Sequence, residues 1–300
     1  MHDVSGGLPF DLDLKRLRQR FERAAPRRDR TALPYHEIGQ RLLERLDLIK
    51  LRPEVVVDVG CGAGLLAAAL LKKYRKARVI GLERAPALVT RARRCSPWLR
   101  TLYGVVGEPE ALPLSTASCD LLVFNLALPW SLDLDRVFAE FRRVLKPGGA
   151  LFFSTLGPDT LVELRRAWAA VDDYNHINAF LDMHDIGDAL VRARLAEPVM
   201  DVERLTFKYP TVDALMRDLS VFGAGNVTAG RARGLTGKGR MDALRAAYEP
   251  CRRADGLLPA SCEVIYGHAW GPLESHSPSR PDGAAVFPLA QLRRRIPDNS

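Results

Sequence analysis

The residues whose types and spacing best suit ligand binding are Asp58, Gly60, Gly62 and Gly64, which follow three valines. Glycines in alternate positions let the backbone approach a ligand closely, because no Cβ stands in the way. The carboxylate of Asp58 can accept hydrogen bonds from a cationic group such as an ammonium. The Leu- and Ala-rich run at 65–74 predicts a helix. Strand, glycine-rich turn and helix together are typical of the start of a nucleotide-binding α/β unit.

The spacing of these glycines argues against a dinucleotide. The pattern Gly-x-Gly-x-x-Gly, which binds a pyrophosphate at a helix N-terminus, would need its third glycine where Leu65 stands. The pattern present, acidic-x-Gly-x-Gly-x-Gly, resembles motif I of S-adenosylmethionine-dependent methyltransferases. That cofactor has an ammonium, a carboxylate and a sulfonium, so the resemblance implies that Asp58 receives the ammonium, directly or through water. Cys61 lies inside the turn and is included among the cofactor-binding residues, although packing explains a small side chain there equally well.

Further candidates lie at the predicted ends of the next strands, where open α/β sheets bind their ligands. Glu83 ends the second strand, nineteen positions after Gly64. Its two carboxylate oxygens suit the two hydroxyls of a ribose, and a plain surface glutamate is the alternative. Arg84 follows it and is included among the cofactor-binding residues.

The turn at 107–113 resembles a Gly-Asp-x-x-x-Leu-Pro turn of methyltransferases, whose acidic residue accepts the adenine amino group. Glu108 occupies that place and is the expected adenine contact. Pro109 follows it, and since proline has no N–H it cannot donate a backbone hydrogen bond to the adenine ring. Asn125, at the end of the fourth strand, is expected to contact the cofactor and to orient the acceptor. Trp130 either walls the same pocket or packs in the core.

Strands and helices alternate as a parallel sheet covered on both faces requires. Strands are predicted from about 55 and at 77–83, 102–106, 119–126 and 150–155, with helices at 37–50, 65–74, 86–94 and 134–145, the last ended by residues 146–149. Beyond these, helices are predicted at 161–171, 186–194, 212–222 and 241–253, and strands at 199–209 and 262–269. The expected fold is a doubly wound, mostly parallel, Rossmann-like α/β sheet.

The predicted domain organisation has three parts. A helical arm at 1–36 precedes a cofactor-binding domain at 37–272, and a disordered tail follows at 273–300. Helical insertions are expected near 157–195 and 211–258, with a mobile, glycine-rich loop at 223–240.

Composition narrows the class of protein. The chain has 300 residues, of which 47% are hydrophobic, as in ordinary soluble domains. No stretch approaches the ~20 apolar residues of a membrane span, and the N-terminus has no apolar signal segment. The five cysteines are scattered without close metal-ligand spacing. We therefore expect a cytoplasmic protein with free thiols, no metal and no membrane contact.

The net charge of +8, from 44 Lys and Arg against 36 Asp and Glu, favours acidic partners. Basic runs occur at 72–76, 91–94 and 293–295. Nucleic acid and an acidic carrier protein are the two candidate partners, and solvated helix faces are the simpler explanation of each single run.

Five segments outside the glycine turn carry a more specific resemblance. They are 145–149 (LKPGG), 154–161 (STLGPDTL), 182–190 (DMHDIGDAL), 226–231 (NVTAGR) and 266–272 (YGHAWGP). Together they resemble the malonyl-acyl-carrier-protein O-methyltransferases of biotin synthesis, a family of class I S-adenosylmethionine-dependent methyltransferases. The resemblance extends from about residue 21 to 272.

This resemblance implies methyl transfer from S-adenosylmethionine to the free carboxylate of a malonyl group carried on acyl carrier protein. The carrier of that reaction is acidic, which suits the positive charge of the chain, and nucleic acid is then not an expected ligand. A carboxylate is deprotonated at neutral pH, so no general base is needed. An arginine is the natural group to hold the malonyl carboxylate, but the sequence does not single one out, and no catalytic residue is assigned.

The N-terminal arm departs from the family pattern. Arg28 stands where a tyrosine is expected, and either holds a carboxylate or is solvated. The segment 33–37 also differs, and its Tyr35 and His36 either face the pocket from the lid side or pack in a helix. The alternative function is therefore a related methyltransferase that acts on another substrate, including a protein side chain. A non-catalytic binding module is the third hypothesis, which the intact glycine turn and Glu83 oppose.

Overall fold

The computed structural model of the protein describes residues 33–131, 133–222 and 237–272. Of Leu33, Val221 and Phe222 it describes the backbone alone. The predicted arm up to residue 32, with Arg28, most of the predicted glycine-rich loop, and the predicted tail from 273 lie outside these ranges.

A sheet of seven strands organises the described residues. The strands are β1 (Val55–Val59), β2 (Arg78–Glu83), β3 (Leu102–Val106), β4 (Cys119–Asn125), β5 (Leu145–Leu156), β6 (Ala196–Tyr209) and β7 (Leu258–Trp270). Their order is β3-β2-β1-β4-β5-β7-β6, with β1 to β5 parallel and β7 antiparallel to both of its neighbours. This confirms the mostly parallel, doubly wound sheet. The strand order reverses between β1 and β4, which is where such sheets bind ligands.

Helices cover both faces of this sheet. They are α1 (Leu33–Arg45), α2 (Leu65–Lys73), α3 (Pro86–Arg94), α4 (Leu134–Val144), α5 (Val162–Ala169), α6 (Met183–Arg192), α7 (Val212–Phe222) and α8 (Lys238–Tyr248). Side chains of α1, α2, α5 and α8 pack into the core on one face, and those of α4 and α6 into the core on the other. Among the described residues, no helix combines the length and the apolar character of a bilayer span.

The central strands are apolar throughout because both of their faces are buried. In β1, Val56 belongs to one core and Val57 to the other, and in β4 Val123 and Phe124 divide in the same way. Phe124 meets Phe141 of α4 edge to face, with ring centroids 5.0 Å apart. Burying a side chain of this size contributes about 1.5–3 kcal/mol to the free energy of unfolding. This packing fixes the ends of β1 and β4, where the candidate ligand-binding residues lie.

One predicted boundary within the sheet was wrong. Residues 146–149 were expected to separate a helix from a strand starting at 150, but β5 begins at Leu145, which pairs with Cys119 of β4 across an irregularity in register. Lys146 forms an ion pair with Asp120 of β4 at 2.8 Å, and Gly148 takes a left-handed φ of +73°. The helix does end at Val144, but the chain pairs with β4 directly and bends at a glycine instead of leaving the sheet.

The first helix also differs from its prediction. Its described part runs from Leu33, the first described residue, whereas 37 was the predicted start. It ends at Arg45, and Leu46–Leu48 continues as a 3₁₀ turn. Tyr35 and His36 are therefore helical, and the predicted boundary between arm and domain at 36/37 falls inside this helix.

The contact between β5 and β7 yields a stability prediction. Gly267 pairs with Phe153, and a Cβ at Gly267 would overlap the Phe153 ring. We expect Gly267→Ala to lower the free energy of unfolding by about 1–3 kcal/mol, the usual range for overpacking. Urea denaturation measures the change.

Gly239→Ala is the matched control. Gly239 lies in α8, and apart from its chain neighbours and the backbone of its own helix, no atom of the described residues lies within 4 Å of the position of a Cβ there. Alanine should therefore stabilise this helix by up to ~1 kcal/mol. Equal effects of the two substitutions would contradict the packing described for β5 and β7.

Candidate active site

The glycine turn after β1 has a backbone that other residues adopt only with strain. Gly60, Gly62 and Gly64 have φ values of +67°, +54° and +88°, in the left-handed region that favours glycine. A Cβ on Gly60 would lie 2.6 Å from Cβ of Ala127, and one on Gly64 would lie 2.7 Å from Cα of Ala92. The left-handed backbone and the close packing against Ala127 and Ala92 thus require glycine at 60 and 64, and close approach of a ligand to this turn stays a prediction.

Asp58 is a buried carboxyl without a hydrogen-bonding partner. It lies near the end of β1, is 1% exposed, and neither of its carboxylate oxygens has a hydrogen bond in the described part of the chain. Burial, and then the nearby charge of Glu83, raise the pKa of Asp58 well above its ordinary value. The Ala67 amide opposes this rise without reaching hydrogen-bond geometry. Since a buried carboxylate is costly unless it is paired, this position suits a cationic ligand group.

Glu83 is fixed in one orientation at the end of β2. One carboxylate oxygen accepts a hydrogen bond from the Gly62 amide at 3.1 Å, and the other accepts one from the Ala85 amide at 3.2 Å. Each oxygen has a second lone pair, so the fixed carboxylate can still accept two hydroxyl groups. Glu83 is 6% exposed and acts on the pKa of Asp58, which places the two carboxyls in one small region.

Cys61 packs beneath the turn. Its side chain is fully buried, and its Sγ would lie 2.9 Å from a Cβ on Gly81 of β2. Burial, followed by the charges of Asp58 and Glu83, raises the pKa of the Cys61 thiol well above its ordinary value. The thiol is therefore neutral, and Cys61 contributes packing and its backbone to the site.

The side chain of Arg84 joins the turn at 107–113 to Trp130, beside the predicted adenine contact. Its Nε lies 3.0 Å from a Glu108 carboxylate oxygen, its Nη1 donates to the Trp130 carbonyl at 3.2 Å, and Glu110 lies 3.9 Å away. The guanidinium is thus engaged with protein groups, and the structure gives it a positioning part. A direct contact between Arg84 and the cofactor remains a prediction.

Glu108 starts a tight turn beside this arginine. Its carbonyl accepts a hydrogen bond from the Ala111 amide at 3.2 Å, while Pro109 is buried. The Gly107 amide donates to the Glu83 carbonyl at 3.2 Å and joins the turn to the end of β2. The Glu108 side chain is half exposed, so the adenine contact stays a prediction.

Asn125 closes the site at the end of β4. Its Oδ1 accepts a hydrogen bond from the Ser154 hydroxyl at 2.6 Å, whereas its buried Nδ2 has no partner in the described ranges. A Cβ on Gly39 of α1 would lie 3.4 Å from that Nδ2, so α1 lies over the amide. Leu126 follows with a φ of +53°, which is uncommon for a branched residue. Trp130 is buried in the short 3₁₀ turn Leu128–Trp130.

An apolar cavity adjoins this end of the sheet. It lies beside the ends of β4 and β5 and is covered by α1, and its lining includes Pro34, Ile38, Leu126, Leu156, Ile177 and Phe180. We call this the apolar cavity.

Tyr35 and His36, for which a pocket-facing and a helix-packing position were both open, do not line this cavity. Residues four apart share a helix face, so α1 presents Pro34 and Ile38 to it. His36 is exposed, and Tyr35 packs against the core. The lining residues at 177–180 were missed because they follow α5 in irregular backbone without a periodic pattern. The motif at 154–161 was the available signal for this region, since Leu156, Thr160 and Leu161 all line the cavity.

The polar groups of this site suit the predicted cofactor, and they do not form a metal site. The buried, unpartnered carboxyl of Asp58, the bare turn and the fixed Glu83 match an ammonium, a close-lying backbone contact and a ribose. No group of three His, Cys, Asp or Glu residues that could hold a metal ion occurs among residues 33–131, 133–222 and 237–272.

Comparisons with known proteins agree with this geometry. A family model described as "Methyltransferase domain" matches residues 57–153, which span β1 to most of β5. Among solved structures, the YcgJ protein of Bacillus subtilis aligns with a TM-score of 0.55 at 17% identity, over 77% of this chain and 97% of that one. A methyltransferase of Bacillus halodurans aligns with a TM-score of 0.55 at 18% identity, over 77% and 98%. These structures show the fold.

Curated relatives are more similar and span nearly the whole chain. A malonyl-[acyl-carrier protein] O-methyltransferase of Methylovorus is 48% identical over 87% of this chain and 90% of its own length. Those of Gallionella capsiferriformans and Halorhodospira halophila are 47% and 42% identical, over 93% and 95% of this chain and 97% of each relative.

The site and these relatives lead to one conclusion. The chain is a class I methyltransferase whose methyl donor is S-adenosylmethionine, and it belongs to the malonyl-[acyl-carrier protein] O-methyltransferase family.

Proposed function

We propose that this protein methylates the free carboxylate of a malonyl group carried on acyl carrier protein. The observation that carries the methyl donor of this proposal is the buried Asp58, unpartnered among the described residues, beside the fixed Glu83 at the carboxyl ends of neighbouring parallel strands. Relatives that cover nearly the whole chain are named for this reaction, which supports the choice of acceptor. The net charge of +8 favours an acidic carrier.

Each candidate residue has a defined part in holding the cofactor. S-adenosylmethionine supplies a methyl group that its sulfonium activates. Asp58 accepts the ammonium of the methionine end, and Glu83 accepts the two ribose hydroxyls. The backbone at Gly60 and Gly62 allows close approach, and Glu108, held by Arg84, accepts the adenine amino group. These residues would together hold the amino-acid end, the ribose and the adenine of the cofactor.

The reaction asks little of side chains. The malonyl carboxylate is already deprotonated at neutral pH, so one of its oxygens forms the new O–CH₃ bond directly, while the electrons of the breaking S–CH₃ bond pass to sulfur. The rate then depends on the alignment of oxygen, carbon and sulfur and on the exclusion of water. The apolar lining of the cavity beside Leu126 serves both needs. The products are a neutral methyl ester and S-adenosylhomocysteine.

The alternative acceptor stays open for one structural reason. Pro34, from the segment that departs from the family pattern, lines the apolar cavity. A substitution in this segment changes the cavity proposed for the acceptor, and it leaves Asp58 and Glu83 as they are. Another carboxylate or a protein side chain is therefore the second candidate acceptor.

Two substitutions separate the contacts at the two ends of the cofactor. Asp58→Asn should weaken S-adenosylhomocysteine and leave methylthioadenosine largely unaffected, because the second ligand lacks the amino-acid end. Glu83→Gln should weaken both ligands, because both carry the ribose. Losses of about 10- to 100-fold are expected from a charged hydrogen bond worth ~1.5–3 kcal/mol. Isothermal titration calorimetry measures each dissociation constant.

Glu44→Gln is the control, since Glu44 is an exposed carboxylate on α1, and it should leave both affinities unchanged. If Asp58→Asn weakened both ligands equally, the assignment of Asp58 to the ammonium would be wrong.

The acceptor is tested with purified protein, S-adenosylmethionine and malonyl-loaded carrier protein. We expect mass spectrometry to show a malonyl-loaded carrier that has gained one methyl group, and no gain on an acetyl-loaded carrier, which has no free carboxylate. The gene should also restore growth without biotin to a strain that lacks its own malonyl-carrier methyltransferase. Normal binding of S-adenosylhomocysteine without any methyl ester would exclude malonyl-carrier protein and favour the alternative acceptor.

A further inference from the structure

Arg165 of α5 is a half-buried cation without a counter-charge. Its guanidinium makes one side-chain hydrogen bond, to the Thr160 carbonyl at 3.3 Å, and no ion pair in the described part of the chain. Arg45 and Arg143, which are also partly buried, each have a carboxylate partner within 3 Å, Asp201 at 2.6 Å and Glu140 at 2.7 Å. A buried charge without a partner is costly, so Arg165 is suited to an anion that the folded chain does not supply.

Arg165 lies between two spaces. One is the apolar cavity, which Thr160 and Ile177 line. The other is a side pocket of about 220 Å³, whose lining includes Arg165, Trp168, Asp172, Tyr174, His176 and Ile177. Ile177 lines both spaces, and the Thr160 carbonyl bonded to Arg165 belongs to a residue of the cavity. Arg165 therefore lines the side pocket and is hydrogen-bonded to a residue of the apolar cavity.

The acidic residues of the side pocket do not neutralise Arg165. Asp172 bonds to His176 at 2.7 Å and lies 3.7 Å from Arg240, so its charge is already balanced. Asp173 is exposed to solvent. His176 is in turn stacked on Trp168, with ring centroids 3.6 Å apart and planes 6° from parallel. Asp172 and His176 are thus engaged with each other and with their neighbours, whereas Arg165 lines the same pocket without an ion pair among the described residues.

The geometry points to Arg165 as the residue that binds an anionic group of the acceptor as it enters the apolar cavity. This inference rests on the proposed function, whose acceptor has two such groups. One is the malonyl carboxylate, and the other is the phosphodiester of the prosthetic arm that carries the thioester. A guanidinium suits both, because its planar N–H groups match pairs of anionic oxygens.

Arg165→Gln and Arg166→Gln form a matched pair for the test. Both remove one positive charge from α5, but Arg166 is exposed and lines neither space. With malonyl-loaded carrier protein, we expect Arg165→Gln to raise KM at least tenfold while kcat falls less, and Arg166→Gln to match the wild type. Arg165→Lys, which keeps the charge without the planar fork, should lie between them. Unchanged affinity for S-adenosylhomocysteine excludes a general disturbance of the fold.

A second acceptor separates the two sources of the anion. The malonyl thioester of N-acetylcysteamine has the carboxylate but no phosphodiester. A similar rise in KM with this compound assigns Arg165 to the carboxylate, and no rise assigns it to the phosphodiester.

Two results would overturn the inference while leaving the proposed function intact. They are an unchanged KM for Arg165→Gln with the carrier substrate, and equal losses for Arg165→Gln and Arg166→Gln. Absence of methyl ester with the wild-type protein would instead overturn the proposed function, and this inference with it.

Discussion

The unpaired carboxyl of Asp58 is the constraint on which the site depends. Folding buries it at the end of a central strand, next to Glu83, and gives it no hydrogen bond among the described residues. Such a group lowers the stability of the free protein, since burial favours its neutral form. A cationic ligand group reverses this penalty, because an opposite charge restores the ionised form. Because only a cationic group relieves the unfavourable burial of this carboxyl, the site favours a ligand that carries an ammonium.

Two groups of elements form the two sides of the site, one with the candidate cofactor residues and one with the cavity proposed for the acceptor. The parallel strands β1 to β5 position the cofactor residues, and the strand order reverses beside Asp58. The elements after residue 156, together with α1, build the apolar cavity and the side pocket. Because different segments form the two sides, the acceptor side can diverge while the cofactor side is kept. The residues predicted to bind the cofactor are therefore different from those proposed to select the acceptor.

The sequence predicted the strands and the turn that carry the candidate cofactor residues well because their signals are local. The glycine spacing fixes the turn, and the strand that follows ends at Glu83, so both elements are recognisable within about thirty residues. The acceptor side was not predictable in the same way. Arg165 is one of many arginines, and its distinction is the lack of a counter-charge, which arises only when Thr160 and α5 pack together. Pro34 and Ile38 of α1 line the cavity, and the sequence alone left open which face of this helix would do so.

Proton release on ligand binding tests the central claim most directly. Calorimetry in mildly acidic buffers of different ionisation enthalpy measures the protons exchanged when S-adenosylhomocysteine binds. Burial raises the pKa of Asp58 in the free protein, and an ammonium beside it would lower that pKa again. The account therefore predicts net proton release with S-adenosylhomocysteine, absent with methylthioadenosine and absent in Asp58→Asn. Equal proton exchange with both ligands, or release that persists in Asp58→Asn, would contradict it.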